Sequence, residues 1–343
     1  LVDCHTHAIF AGLRAQEFAQ RNAGVPYVEI LEAGGGILST VRASRAADDA
    51  TLLASLLERI DDFARRGVGT LEVKTGYALS CDEELRHLRL IAEAAKHTPV
   101  RLCPTFLGAH AVPAEFRPDT EAYVRLVVDT MLPAVAAQGI ATACDVFCDR
   151  GAFTVEQAER ILLRARELGL ALHVHCEEIA RTGATELAIR LGALSADHLD
   201  KLDADGVAVL AASPTVGVLL PGVTIFLDAA SRAPARALID AGGTVALSTD
   251  LNPGSSMTSD LLLMASLACC LFKLTPGEAL WALSAGGARA LGLGQCAGEL
   301  TVGRDADLCA FAVDDFAELP YRMGARLPTR LWLRGEEYGG VME

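Results

Sequence analysis

Residues 154–175 read TVEQAERILLRARELGLALHVH, and this stretch carries the fold's repeating unit. Thr154–Leu168 sets apolar residues at helical spacing among charged ones, the pattern of an amphipathic helix. Gly169 follows, where a helix end calls for a left-handed cap. Leu170–His175 is then a short β-rich run ending on His173 and His175.

The same unit recurs in both directions. Helical patterns span Ala50–Arg66, Glu83–Lys96, Thr120–Gln138 and Arg181–Leu191, and Gly67, Gly139, Gly192 and Gly242 each stand just before a strand. Strands are expected near Leu1–His5, Val68–Lys74, Val100–Leu107, Cys144–Phe147, Leu170–His175, Leu194–His198, Val209–Val216 and Thr244–Thr249. Eight β units alternating with helices spell an α/β fold of the (β/α)8 TIM-barrel type over residues 1–297. A doubly wound sheet would want a glycine-rich phosphate loop after the first strand, and none follows His5. Gly34-Gly35-Gly36 lacks the lysine of a P-loop and argues little for phosphate. From Gly298 the pattern changes: Gly298–Leu308 and Arg330–Arg334 read as short strands with turns, so residues 298–343 are expected to form part of a small β-sandwich appendage.

The chain has 343 residues, 51% of them hydrophobic, enough for a sizeable core. Its net charge of −14 argues against nucleic acid or an anionic membrane surface as partner, though not against a small acidic substrate. Ten cysteines without a CxxC pair suit buried thiols in a reducing cytoplasm. Leu261–Phe272, the longest strongly apolar run, is too short to span a bilayer, and no signal peptide is visible. The chain opens on Leu1 rather than Met, which leaves room for a preceding segment, and a homodimer is left open.

Six of the eight histidines fall at or near strand ends: His5, His7, His110, His173, His175 and His198. In a barrel these ends form one rim, which carries the active site. His5-Thr6-His7 puts two imidazoles on one side of a strand, able to share an ion. His173-Val174-His175 repeats that geometry, and Asp250 ends the eighth strand. Such a mixed nitrogen and oxygen set suits one divalent ion, Zn²⁺ or Fe²⁺. A hydrolase also needs a base, for which Glu178 is the candidate and Glu177 the alternative; His198 could polarise a carbonyl or steady the nucleophile.

Together, His5-Thr6-His7, His175-Cys176-Glu177-Glu178, Ser195-Ala196-Asp197-His198 and Ser248-Thr249-Asp250 resemble the amidohydrolase superfamily, in its mononuclear branch. The closer resemblance is to the imidazolonepropionase family and runs from Val2 to about Asp307. It is carried by Asp3–Arg14, Gly34–Val41, Glu72–Tyr77, Leu107–Ala111 and Ser248–Ser255. The resemblance implies hydrolysis of 4-imidazolone-5-propanoate to N-formimino-L-glutamate. It implies metal ligands at His5, His7, His175 and Asp250, a catalytic glutamate at Glu178, and substrate contacts at Arg14, Tyr77, His110, Asn252, Gly254 and Ser255. Arg14 agrees in type, since a guanidinium can fork onto a propanoate carboxylate. Tyr27 is a further candidate for closing over the substrate. Two departures stand out. The family's segment before its HxH strand is not seen, so an incomplete appendage is expected, and His173 stands where a non-ligand belongs, as a competitor to His175. Two other functions remain open: a deaminase of a purine, pyrimidine or related heterocycle, and a non-catalytic ligand-binding barrel.

Overall fold

Thr154 starts its helix with a reciprocal cap. Its hydroxyl accepts the Gln157 N–H, and the Gln157 side chain accepts the Thr154 N–H. The helix Val155–Glu167 buries Ala158, Ile161, Leu162 and Ala165 on one face, and each large aliphatic there contributes about 1.5–3 kcal/mol. Gly169 ends it at φ 85°, with Gly169 N–H bonded to Arg166 and Leu170 N–H to Ala165. The chain passes straight into a strand.

The protein is seen here as a computed structural model that describes residues 1–117, 119–324 and 326–339, without the side chains at 27, 28 and 31. Tyr27 opens the helix Tyr27–Glu32, but its side chain lies outside that description. Eight strands form one parallel sheet in sequence order: β1 (Val2–Asp3), β2 (Thr70–Lys74), β3 (Arg101–Ala109), β4 (Ala143–Cys148), β5 (Ala171–Cys176), β6 (Ser195–His198), β7 (Val216–Leu219) and β8 (Val245–Leu247). Asp250 N–H bonds His5 O at 3.1 Å and His7 N–H bonds Leu251 O at 2.9 Å, which ties the last strand to the first. Asp3 completes the seam by accepting from Ser248 and Thr249 hydroxyls. The sheet is a TIM-type barrel, and among the described residues no helix is long and apolar enough to cross a membrane.

Two expected strands are corrected. Val209–Val216 is not the seventh strand: Asp203 caps the Gly206 N–H and begins a helix, Ala204–Ala211, that buries Val207 and Leu210. An apolar run rich in valine reads alike in both states, and the cap decides; β7 begins only at Val216. Gly298–Asp307 likewise forms turns, with Gly298 at φ 84° and Gly303 at φ 92°. The strands of the small antiparallel sheet are β9 (Leu308–Ala310), β10 (Arg330–Leu333) and β11 (Glu336–Glu337), in the order β11-β10-β9. This sheet lies against the start of β2, where Leu333 closes on Gly69 and Cys309 on Gly67, at the end of the barrel opposite the rim.

Candidate active site and metal centre

His5 and His7 leave β1 side by side, and His175 and Asp250 reach the same point from the ends of β5 and β8. All four are nearly inaccessible to solvent. Asp250 Oδ1 lies 3.3 Å from His7 Nε2 and 3.5 Å from His5 Nε2, while His7 Nε2 lies 3.4 Å from His175 Nε2. Bonds of about 2.0–2.2 Å in a tetrahedron would set neighbouring ligand atoms roughly 3.3–3.6 Å apart. His5 Nε2 and Asp250 Oδ1 also have no hydrogen-bond partner although buried. Burial, with the Lys74 ammonium and the other imidazoles, holds His5 well below the usual histidine range, so it is a neutral lone-pair donor. Gathered and buried, with His5 Nε2 and Asp250 Oδ1 unsatisfied, these atoms fit a divalent cation.

His173 does not join them. Its Nδ1 pairs with Ser195 Oγ at 2.8 Å and its Nε2 stands 4.0 Å from Glu72, one inward layer below His175. The period of two that made it a competitor places both rings inside the barrel at different depths.

The adjacent glutamates part company. Glu177, at φ 53°, turns its carboxylate away from the cluster to accept the N–H groups of Thr182, Gly183, Ala184 and Thr185, and to pair with Arg181 at 2.9 Å. It caps the helix Ala184–Leu191 and shapes its approach. Glu178 faces the cavity, 3.8 Å from His198 Nε2, with burial and the Asp250 charge pushing its carboxyl up to about 7. Asp149 holds this turn by accepting from the backbone of Glu178, Ile179 and Ala180 at 2.8–3.0 Å.

A cavity of about 440 Å³ opens beside the cluster. His7, Arg14, Tyr77, His110, Glu178, His198, Asn252, Gly254 and Ser255 all line it. Tyr77 sits on a turn whose Gly76, Ala78 and Leu79 N–H groups are held by the buried Glu84 carboxylate. Gly76, at φ 102°, lets His110 close in: a Cβ there would meet His110 Nδ1 at 3.0 Å. His110 in turn stacks on His7, ring centroids 4.8 Å apart. Arg14 is oriented by Glu17 at 2.8 Å, and the same carboxylate takes the Gly36 N–H. The triple glycine therefore binds a side-chain carboxylate of this chain. Gly254 leaves room for Arg14: a Cβ there would fall 2.2 Å from the guanidinium and push it out of place. Asn252 lines the cavity but spends its amide on the loop, accepting from Gly254 and Ser255 N–H and donating to Asp250 O.

Sequence reasoning passed over several residues here. Arg21, Ile37, Phe147, Ile179 and Leu227 share the cavity wall, and no spacing signal marked them. Behind the cluster lies a group that did leave a trace: Glu72, Lys74, Asp145 and Asp197 are charged residues alternating along strands otherwise apolar. His5 Nδ1 bonds Asp197 Oδ2 at 2.7 Å and His175 Nδ1 lies 2.9 Å from Asp145 Oδ2.

Residues 1–335 match the Amidohydrolase family. The chain is 46% identical over 333 residues to the imidazolonepropionase of Xanthomonas axonopodis pv. citri (strain 306), covering 97% of this chain and 82% of that one. The chain belongs to the imidazolonepropionase family of amidohydrolases. The imidazolonepropionase of Shewanella sp. (strain ANA-3) is also 46% identical, with 94% and 79% covered. Among solved structures, a zinc-bound adenosine deaminase from Xanthomonas campestris superposes with a TM-score of 0.67 at 20% identity, over 98% of this chain and 79% of that one. That likeness concerns the fold alone. Imidazolonepropionase-family membership and the His/Asp cluster together make this a hydrolase for a cyclic amide bond with a metal cofactor.

Proposed function

We propose that the chain hydrolyses 4-imidazolone-5-propanoate to N-formimino-L-glutamate in histidine degradation, using one zinc or iron ion held by His5, His7, His175 and Asp250. The observation that carries this reading is the cluster's spacing of 3.3–3.5 Å beside a cavity bearing both Arg14 and Glu178. A cation held there supplies Lewis acidity, which makes water deprotonable near neutral pH and polarises the ring carbonyl. Arg14, its guanidinium fixed by Glu17, pairs with the propanoate carboxylate. Tyr77, kept a neutral phenol because burial raises its pKa, donates to the substrate's polar edge, while His110, neutral and with its Nδ1–H given to Gly76 O, offers Nε2 as an acceptor from the opposite turn. Glu178 removes the proton of the attacking water and returns it to the ring nitrogen as the C–N bond opens. His198, kept neutral by burial, orients that water from the facing side.

A cytoplasmic location belongs to the same reading, supported by ten unpaired thiols. So does a homodimer, supported by the apolar Leu300, Phe316 and Tyr321 left exposed after the barrel. The test is turnover of freshly made imidazolonepropanoate, followed by assay of formiminoglutamate and of ammonia. Formiminoglutamate without stoichiometric ammonia is the predicted result. Ammonia from a purine or pyrimidine, with imidazolonepropanoate untouched, would replace this reading with a deaminase.

A further inference from the structure

Lys74 has no part in the reaction outlined above, yet it is among the most deeply enclosed charges in the protein, with no exposed side-chain surface. Its ammonium lies 2.8 Å from Glu72 Oε2, 2.8 Å from Asp145 Oδ2 and 3.9 Å from Asp197 Oδ2. Those last two oxygens are the ones that meet His175 Nδ1 and His5 Nδ1. The three strands involved, β2, β4 and β6, aim their inward side chains at one point beneath the rim. Two histidine–carboxylate pairs thus share one cation.

We propose that Lys74 is a positioning residue for the metal centre, fixing through Asp145 and Asp197 the tautomer and tilt of the two imidazoles, His175 and His5. A carboxylate at Nδ1 keeps the proton there and leaves Nε2 as lone pair, which is what a metal requires of histidine. Two carboxylates buried this close would repel, and each could swing away from its ring. The ammonium between them, 2.8 Å from Asp145 and 3.9 Å from Asp197, offsets that repulsion and favours each oxygen staying on its histidine. Burial alone would strip the Lys74 proton, but the surrounding carboxylates outweigh that and keep the charge in place. Glu72 balances the remaining charge and is itself held by the Thr105 hydroxyl, so the hub is anchored independently of the rings. The role is unlike that of Glu178 or Arg14, because Lys74 touches neither cavity nor substrate.

This inference rests on the metal reading, and the experiment keeps the two apart. Zinc affinity is measured by chelator competition on the folded full chain, for wild type, Lys74→Met, the double variant Glu72→Gln with Lys74→Met, and Leu56→Ala. The double variant removes one charge of each sign and so keeps a foldable balance if the single variant collapses. Leu56 lies in the buried face of the helix Asp49–Arg65, away from the hub, and serves as a stability control. The expected result is a Kd for zinc raised about 10–100-fold in the lysine variants, the scale of outer-shell losses. Leu56→Ala should lower Tm and leave the zinc Kd alone. An unchanged Kd in a folded lysine variant overturns the positioning role. A wild type that holds no zinc or iron overturns the metal reading instead.

Discussion

The two ends of the barrel are built from different materials. At the rim, buried carboxylates hold the loops: Glu84 takes three N–H groups beside Tyr77, Asp149 three beside Glu178, and Glu177 four ahead of Ala184–Leu191. At the opposite end, β9–β11 lean on the barrel through apolar contacts such as Leu333 on Gly69, and their charges pair in solvent, as Arg330 does with Glu337. The rim must keep irregular backbone out of water, so it needs acceptors where no neighbouring strand supplies them. It also keeps Glu177, His198 and Asp250 at positive φ, a conformation that persists only where the surroundings enforce it. The lower end has less of this: Arg334, at φ 52° with its N–H held by Asp307, stands in an exposed turn. Polar substitutions at the rim should therefore strike function or stability, and substitutions of exposed charges at the lower end neither.

The largest effect is expected at Glu178. Glu178→Gln keeps the metal but should cut kcat by roughly 10²–10⁴-fold, the usual worth of a general base; undiminished turnover would move the base to His198. Arg14→Ala comes next. It should raise KM about 10–100-fold, matching a lost charge-assisted bond of about 1.5–3 kcal/mol, with kcat changed far less. A KM left unmoved would take the carboxylate clamp away from Arg14. Glu177→Gln tests the contrast between neighbours. Loss of a buried charged acceptor should cost roughly 3 kcal/mol in denaturant unfolding, with metal content retained in the folded fraction. Stability equal to wild type would deny its role as a cap. At the small end of the scale, Arg330→Ala should leave activity and Tm essentially where they were, and a large drop in turnover would erase the distinction between the two ends.

Acidity sharpens the same comparison. In the proposed role of base Glu178 must be ionised, and burial has raised its carboxyl to about 7. kcat/KM should therefore fall as pH drops through that value, and a bound cation, favouring the anion, can shift the limb only downward. A rate that climbs on acidification contradicts the assignment.

The barrel was legible because its units repeat and because glycines such as Gly169 mark where each helix must stop. Where periodicity failed, a side chain had the deciding role: Asp203 turns a valine-rich run into a helix, which no apolar pattern reveals. The His/Asp cluster was legible because HxH has a period of two and Asp250 stands at a strand end. His173 shares that period, and only depth in the barrel separates it from His175. Glu177 and Glu178 are alike in type and adjacent in sequence, so Glu178 could only be preferred over its neighbour; the positive φ at Glu177 sends their side chains in different directions. The wall formed by Ile37, Phe147, Ile179 and Leu227 comes from four distant segments of ordinary apolar composition, so nothing local could announce it.

The central claim is that the His5, His7, His175 and Asp250 cluster holds the ion on which imidazolone hydrolysis depends. Metal content and imidazolonepropanoate turnover measured in one preparation, before chelation, after it and after restoring zinc or iron, test that most directly. The account predicts one ion per chain, activity lost with the ion and recovered with it. Turnover indifferent to complete removal of the metal would contradict it.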